Sequence, residues 1–210
     1  MRYEEHRQLV VELRDRGIGD ERVLAAIGRV PRHRFVDPTE ALFAYEDRAL
    51  PIGCEQTISQ PFVVAYMTQL LEVDQGSKVL EVGTGSGYQA AILAELGAHV
   101  YSIEIHAELS ASAAAVLADC GHRDVRLRVG DGYLGWPEES PFERIIVTAA
   151  TREIPPPLIE QMAVNGRLVL PLSTNLPDDQ WIWLITKDAA GIIKRSRTLP
   201  VRFVPLTRAN

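Results

Sequence analysis

The sequence predicts an α/β fold, a mostly parallel sheet within a single domain. Three observations carry this. Strand-like and helix-like segments alternate through residues 60–172, the pattern of parallel strands joined by right-handed crossovers. An apolar strand at 78–82 runs directly into a glycine-rich loop and then a helix. Two strand-like runs near the C-terminus have no helix between them, so they must pair antiparallel. With 210 residues, 46% of them hydrophobic, the chain can build one substantial core but not two domains of ordinary size.

The elements follow in order. Leu9, Val10 and Leu13 recur at helical spacing, and Gly17-Ile18-Gly19 stops that helix. Asp20 is placed to cap a second helix with Val23, Leu24 and Ile27 on one face, ended by Pro31. Residues 31–59 show no periodicity but hold Phe35, Leu42, Phe43, Tyr45, Leu50 and Ile52, too many apolar groups for disorder. They are expected to complete an ordered helical cap, residues 1–59, over a site. A helix at 61–71 opens the core region, 60–172. Strands are expected at 78–82, 99–104, 125–129, 144–148 and 167–172, with helices at 88–96, 108–120 and 157–162 between them. Pro155–Pro157 suit a helix start. The last region, 173–210, carries strands at 181–187 and 192–206, the second broken by Pro200, with the turn at 188–191. Trp181 and Trp183 alternate, so both should pack on one side.

Composition removes several function classes. Lysine plus arginine is 22 against 28 aspartate plus glutamate, a net charge of −6 without a basic cluster. A surface that reads phosphates needs concentrated positive charge, so no nucleic-acid partner is expected. No apolar run reaches the ~20 residues of a membrane helix, and the charged N-terminus has no apolar export segment; a cytoplasmic monomer off the membrane is expected. Cys54 and Cys120 form no paired motif, and His33, His99 and His122 have no partner at ligand spacing, so no metal is expected.

The segment Val79-Leu80-Glu81-Val82-Gly83-Thr84-Gly85-Ser86-Gly87 is the strongest chemical signal. Glycines allow a sharp turn and close approach of a ligand to the backbone. A dinucleotide loop places its third glycine one residue later, and Glu81 would oppose a diphosphate. A carboxylate suits instead a ligand with an ammonium and a sulfonium, which describes S-adenosylmethionine. No Lys-Ser/Thr follows, which removes a nucleoside-triphosphate loop. Glu104 ends the next strand, where such sheets present an acid to a ribose diol. Asp131, in Gly130-Asp131-Gly132, ends the third, where it would reach adenine. A parallel sheet closed by an antiparallel pair is also how the class I S-adenosylmethionine-dependent methyltransferase fold, Rossmann-like, ends.

The acceptor is suggested by Pro51-Ile52-Gly53-Cys54-Glu55-Gln56-Thr57-Ile58-Ser59-Gln60-Pro61. With VLEVGTGSGYQAA at 79–91, GDGYLGWPE at 130–138, residues 141–150 and VRFVPL at 201–206, this block resembles the protein-L-isoaspartate O-methyltransferases over nearly the whole chain. The resemblance implies transfer of a methyl group to the free carboxylate of L-isoaspartyl residues, with D-aspartyl residues as a second acceptor. The ester then proceeds through a succinimide toward repair, so the partners are damaged proteins and peptides. It places Ser59 at the catalytic centre. Motif and resemblance together assign the cofactor to Thr57, Ile58, Glu81, Gly83, Thr84, Gly85, Gly87, Gln89, Glu104, Ile105, Asp131 and Gly132. The substrate falls to Ser59, Gln60, Val201, Phe203, Val204 and Pro205, the last four as an extended segment holding peptide backbone.

A carboxylate is ionised at neutral pH and needs no base, so Ser59 is expected to orient the acceptor rather than to attack. The plain alternative for Ser59 is a helix N-cap before Pro61. Two departures from the family pattern stand out: Glu55 and Asn165 occupy positions where the family usually has glycine. Asparagine tolerates a left-handed backbone; glutamate at 55 alters backbone freedom and charge. It is the one hint of a same-fold enzyme acting on another carboxylate, such as an aspartate of a peptide natural product. A non-catalytic cofactor-binding module is disfavoured by Ser59, Glu81 and Glu104.

Overall fold

A computed structural model of the chain describes residues 2–174 and 179–209. Two helices, α1 (Arg2–Asp15) and α2 (Glu21–Arg29), lead the chain. Asp20 caps α2 by accepting the Arg22 amide, as the sequence suggests. The aperiodic stretch that follows is ordered. It forms two short 3-10 turns, Arg32–Arg34 and Ala41–Phe43, then a hairpin of β1 (Leu50–Gly53) and β2 (Gln56–Ile58). Gly53 pairs with Gln56, leaving Cys54 and Glu55 as the two-residue turn, both with positive φ (49° and 58°). Such turns match strand twist but favour glycine or asparagine, which is why this hairpin carries no ordinary turn signal.

The core alternates as expected: α3 (Pro61–Leu71), β3 (Lys78–Val82), α4 (Tyr88–Glu95), β4 (His99–Glu104), α5 (Ala107–Asp119), β5 (Arg126–Val129), β6 (Phe142–Val147), α6 (Pro156–Gln161) and β7 (Met162–Ser173). The closing strands are β8 (Gln180–Lys187) and β9 (Ile193–Val201). The sheet order is β5-β4-β3-β6-β7-β8-β9, parallel as far as β7 and antiparallel across β7–β8 and β8–β9. The chain builds outward from β3 to β5, then crosses back to lay β6 on the other side of β3. That reversal opens a crevice at the carboxyl ends of β3 and β6, where ligands bind in such sheets.

Period-two alternation divides the core into two layers. Val79, Val100, Ile146 and Val169 pack on one face with the buried residues of α1–α4. Leu80, Ile103, Ile145 and Leu168 pack on the other with Leu158 of α6. Glu81, Ser102 and Glu104 share the parity of Val79 and Val100, so three polar groups lie on the first face, towards the sheet's carboxyl end.

The ends of the last elements depart from the sequence pattern. β7 starts at Met162, where a helix end was expected, because Met162 is already extended (φ −75°, ψ 126°) and pairs with Phe142; the register with β6 then shifts before Arg167, around Asn165 at φ 59°. β9 continues through Pro200, since an edge strand needs no donor on its open side. Trp181 and Trp183 are only partly buried; Trp183 packs on the second layer while Trp181 lies under Arg197. Beyond Val201 the chain leaves the sheet and crosses its edge as a strap. The Ala150 amide donates to Val204 O at 2.8 Å, and the Leu206 amide to Ala150 O at 2.8 Å. Among the described residues no helix is long and apolar enough to cross a membrane.

Candidate active site

The glycine loop lies where β3 enters the crevice. Gly83 turns at φ 97°, and a side chain there would meet Thr148 Oγ1 at 2.5 Å. Thr148 Oγ1 donates to Gly83 O at 2.6 Å, so the end of β6 clamps the loop. Gly87, at φ 86°, abuts Ala113 and Leu117 and lets α4 approach α5. Two adjoining clefts result, sharing Thr57, Gly83, Gly85 and Thr148. The first also holds Glu104, Ile105 and Gly132; the second Ile58, Ser59, Thr84 and Gln89. Nine of the twelve residues assigned to the cofactor therefore converge on one crevice, counting Thr57, Gly83 and Gly85 with these.

Glu104 is 5% exposed and fixed at both oxygens. Oε2 accepts the Gly85 amide at 2.8 Å and Oε1 the His106 amide at 3.0 Å. Each oxygen keeps a lone pair for a further donor, and the aimed carboxylate fits a ribose diol.

The other three lie outside the crevice. Gly87 serves helix packing. Glu81 is fully buried, because in the β3–β4 register it lies beside Ser102. Ser102 Oγ donates to Glu81 Oε2 at 2.5 Å and lies 2.6 Å from Thr84 Oγ1, while Glu81 Oε1 finds no partner. Burial pushes the Glu81 carboxyl up to about 8, against the lowering effect of Ser102, with Glu104 adding repulsion. Glu81 thus lies beneath the loop, sealed from the crevice, and burial favours its protonated form. Asp131 also lines neither cleft and is already engaged. It accepts the Tyr133 amide and takes a two-point bond from Arg208 Nε at 2.8 and 3.1 Å. Arg208 is 77 residues away in sequence, at the end of the strap, and lies 3.7 Å above the Tyr133 ring.

The residues expected from the sequence to hold substrate divide. Ser59, Gln60, Val201 and Phe203 line a separate cavity between the start of α3 and the end of β9. Val204 and Pro205 instead wall the first cofactor cleft, because the bridge to Ala150 carries the strap across it. Ser59 and Phe203 line both the second cleft and the cavity at the end of β9, so they stand at the junction of the two.

Ser59 is not the helix cap. Gln60 is the N-cap of α3 and makes no side-chain cap. Asp47 does that work: Oδ1 accepts the Phe62 amide at 2.7 Å, Oδ2 accepts Gln60 Nε2 at 2.7 Å, and Arg16 pairs with the same carboxylate. Residues the sequence reading missed include Thr148, Ala149, Leu206 and Thr207 along the first cleft. Thr148 directly follows β6 and was expected to be that strand's last residue, and that position was the signal available for it. Leu206 belongs to the VRFVPL segment that carried the family resemblance, whereas Thr207 had no signal.

A mostly parallel seven-stranded sheet with a glycine loop at its switch point and an aimed acid on the next strand defines a class I, Rossmann-like methyltransferase. The model of the family described as Protein-L-isoaspartate(D-aspartate) O-methyltransferase (PCMT) matches residues 4–210, and the chain belongs to that family. A protein-L-isoaspartate O-methyltransferase of Gloeobacter violaceus is 56% identical over 197 residues, 94% of this chain and 95% of that protein. One from Anaeromyxobacter dehalogenans is 54% identical over 96% of both chains. A solved protein-L-isoaspartate O-methyltransferase superposes with a TM-score of 0.85 at 29% identity, over 95% of this chain and 65% of that one. A Plasmodium falciparum structure described as a PCMT, in complex with S-adenosyl-L-homocysteine, gives 0.85 at 26% identity over 97% and 99%.

Proposed function

We propose that the chain methylates the free carboxylate of L-isoaspartyl residues in damaged proteins and peptides, with S-adenosylmethionine as donor. The observation that carries this is the position of Ser59 and Phe203, shared by the glycine-loop cleft and the acceptor-side cavity. The donor supplies a methyl group on a sulfonium, which passes to an anionic oxygen while the bonding electron pair stays on sulfur. Glu104 and the Gly83–Gly85 backbone hold the donor side. Ser59, as a hydroxyl donor, orients the acceptor carboxylate. No base is needed, since an ordinary carboxylate is already ionised at neutral pH; the protein's task is alignment and exclusion of water.

β9 is the edge strand of the sheet, and its end borders the acceptor-side cavity. An open edge reads peptide main chain with little side-chain preference, which suits an enzyme meeting damage in many sequences. The reading includes a cytoplasmic monomer acting on damaged proteins, with neither nucleic acid nor membrane as partner. Paired peptides differing only in an isoaspartyl or aspartyl linkage test it. Labelled methyl transfer should strongly favour the isoaspartyl isomer; equal rates would refute the repair reading and favour another carboxylate acceptor.

A further inference from the structure

Directly behind Ser59 lies a fully buried cation. Arg32, in the short turn after α2, is 0% exposed. Its Nη2 donates to the Ser59 carbonyl at 2.8 Å and, more weakly, to Arg48 O at 3.4 Å. Its guanidinium carbon lies 4.8 Å from the Tyr88 ring centre, and Tyr88 and Ser59 both face the second cleft. Nε and Nη1 are buried without partners. Among the described residues no carboxylate pairs with Arg32. Asp47, the acid bonded to Gln60 and Phe62, is already neutralised by Arg16.

An uncompensated charge in a protein interior is unfavourable, and it favours whatever brings the opposite charge near. Burial lowers the guanidinium only to about 10, so it stays charged at neutral pH. From this burial, the bond to Ser59 and the missing counter-ion, we infer that Arg32 is the positioning residue of the acceptor site. It fixes Ser59 through the carbonyl and supplies a positive field that an ionised acceptor compensates. The inference rests on the acceptor reading above. It also explains turnover: the ester product is neutral, so the field that drew the carboxylate in no longer holds the product.

The test compares two forms of one isoaspartyl peptide, with the acceptor group as free carboxylate or as carboxamide. Affinities are measured by calorimetry with S-adenosylhomocysteine present, so that no turnover occurs. The intact protein should favour the carboxylate by about tenfold or more. In Arg32→Met the ratio should fall towards parity, with S-adenosylhomocysteine affinity unchanged. A merely structural role would weaken both peptides alike, and an unchanged ratio in Arg32→Met overturns the proposal. Should that variant not fold, Arg32→Lys decides. A buried ammonium loses its proton more readily than a guanidinium, so its ratio should decay between pH 6 and 9 while the intact protein's stays level. A level ratio in Arg32→Lys overturns the proposal too. Ser59→Ala, measured alongside, should lower turnover and trim the ratio through loss of its own hydroxyl donor, while a clear preference for the carboxylate remains. Normal turnover in Ser59→Ala would remove the Ser59 role alone, leaving the ratio to judge Arg32.

Discussion

Replacing Glu81 with glutamine should change how the stability of the ligand-free protein responds to pH. The carboxyl is fully buried, bonded on one oxygen and unpartnered on the other. Its folded value, about 8, is raised above the ordinary 4.5. The folded state therefore holds a proton that the unfolded state releases, and stability falls as pH rises between those two values. The loss is about 1.4 kcal/mol per pH unit, which accumulates to roughly 3–4 kcal/mol by pH 7.5. Below the ordinary value Glu81 adds no dependence, and above about 8 the loss is complete. Glutamine keeps the shape and an acceptor for Ser102 but cannot titrate. Urea denaturation of both proteins at pH 5.5, 6.5, 7.5 and 8.5 isolates the effect, because every other group apart from the neighbouring Glu104, which is coupled to Glu81, titrates alike in the two. Glu81→Gln should gain on the natural protein by about 1.4 kcal/mol per unit up to pH 8, with equal m-values. Parallel stability curves would refute the reasoning and show that Glu81 is ionised in the folded state.

Three further outcomes are expected. Glu104→Ala should weaken S-adenosylmethionine binding by ~1.5–3 kcal/mol in calorimetry, the range for a hydrogen bond to a charged group; unchanged affinity would remove Glu104 from the ribose role. Ser59→Ala should lower turnover ~10- to 100-fold with the melting temperature nearly unchanged, since Ser59 does not cap α3. A fall in melting temperature with full turnover of the folded fraction would reverse that assignment. Glu55→Gly should stabilise the fold by roughly 0.5–1 kcal/mol, the left-handed strain relieved less the added freedom of the unfolded chain. In a chain of this size that is a rise of about 1–4 °C, and an unchanged or lower melting temperature would count against strain at φ 58°.

Local pattern alone determined much of this protein. The glycine spacing after β3, the 3.6 and 2.0 periodicities, and acids placed at strand ends each depend on a few neighbouring residues, and the fold class, the crevice and Glu104 follow from them. The segment before Pro61 drew notice only through its family resemblance, and its Ser59 lines two adjoining cavities. What the tertiary structure decided was which polar groups meet. Glu81 is as acidic as Glu104 on paper, but the β3–β4 register seals it against Ser102, where burial raises its carboxyl. Asp131 ends a strand like Glu104, yet a strap arriving from 77 residues away occupies it with Arg208. Val204 and Pro205 belong to the same short motif as Val201 and Phe203, but the bridge to Ala150 turns them to the other side of the junction. Arg32 lies in an aperiodic turn with no sequence cue to its burial behind Ser59. Charge pairing, burial and the sharing of a wall between two cavities depend on strand order and on contacts between distant segments, and one-dimensional spacing does not encode those.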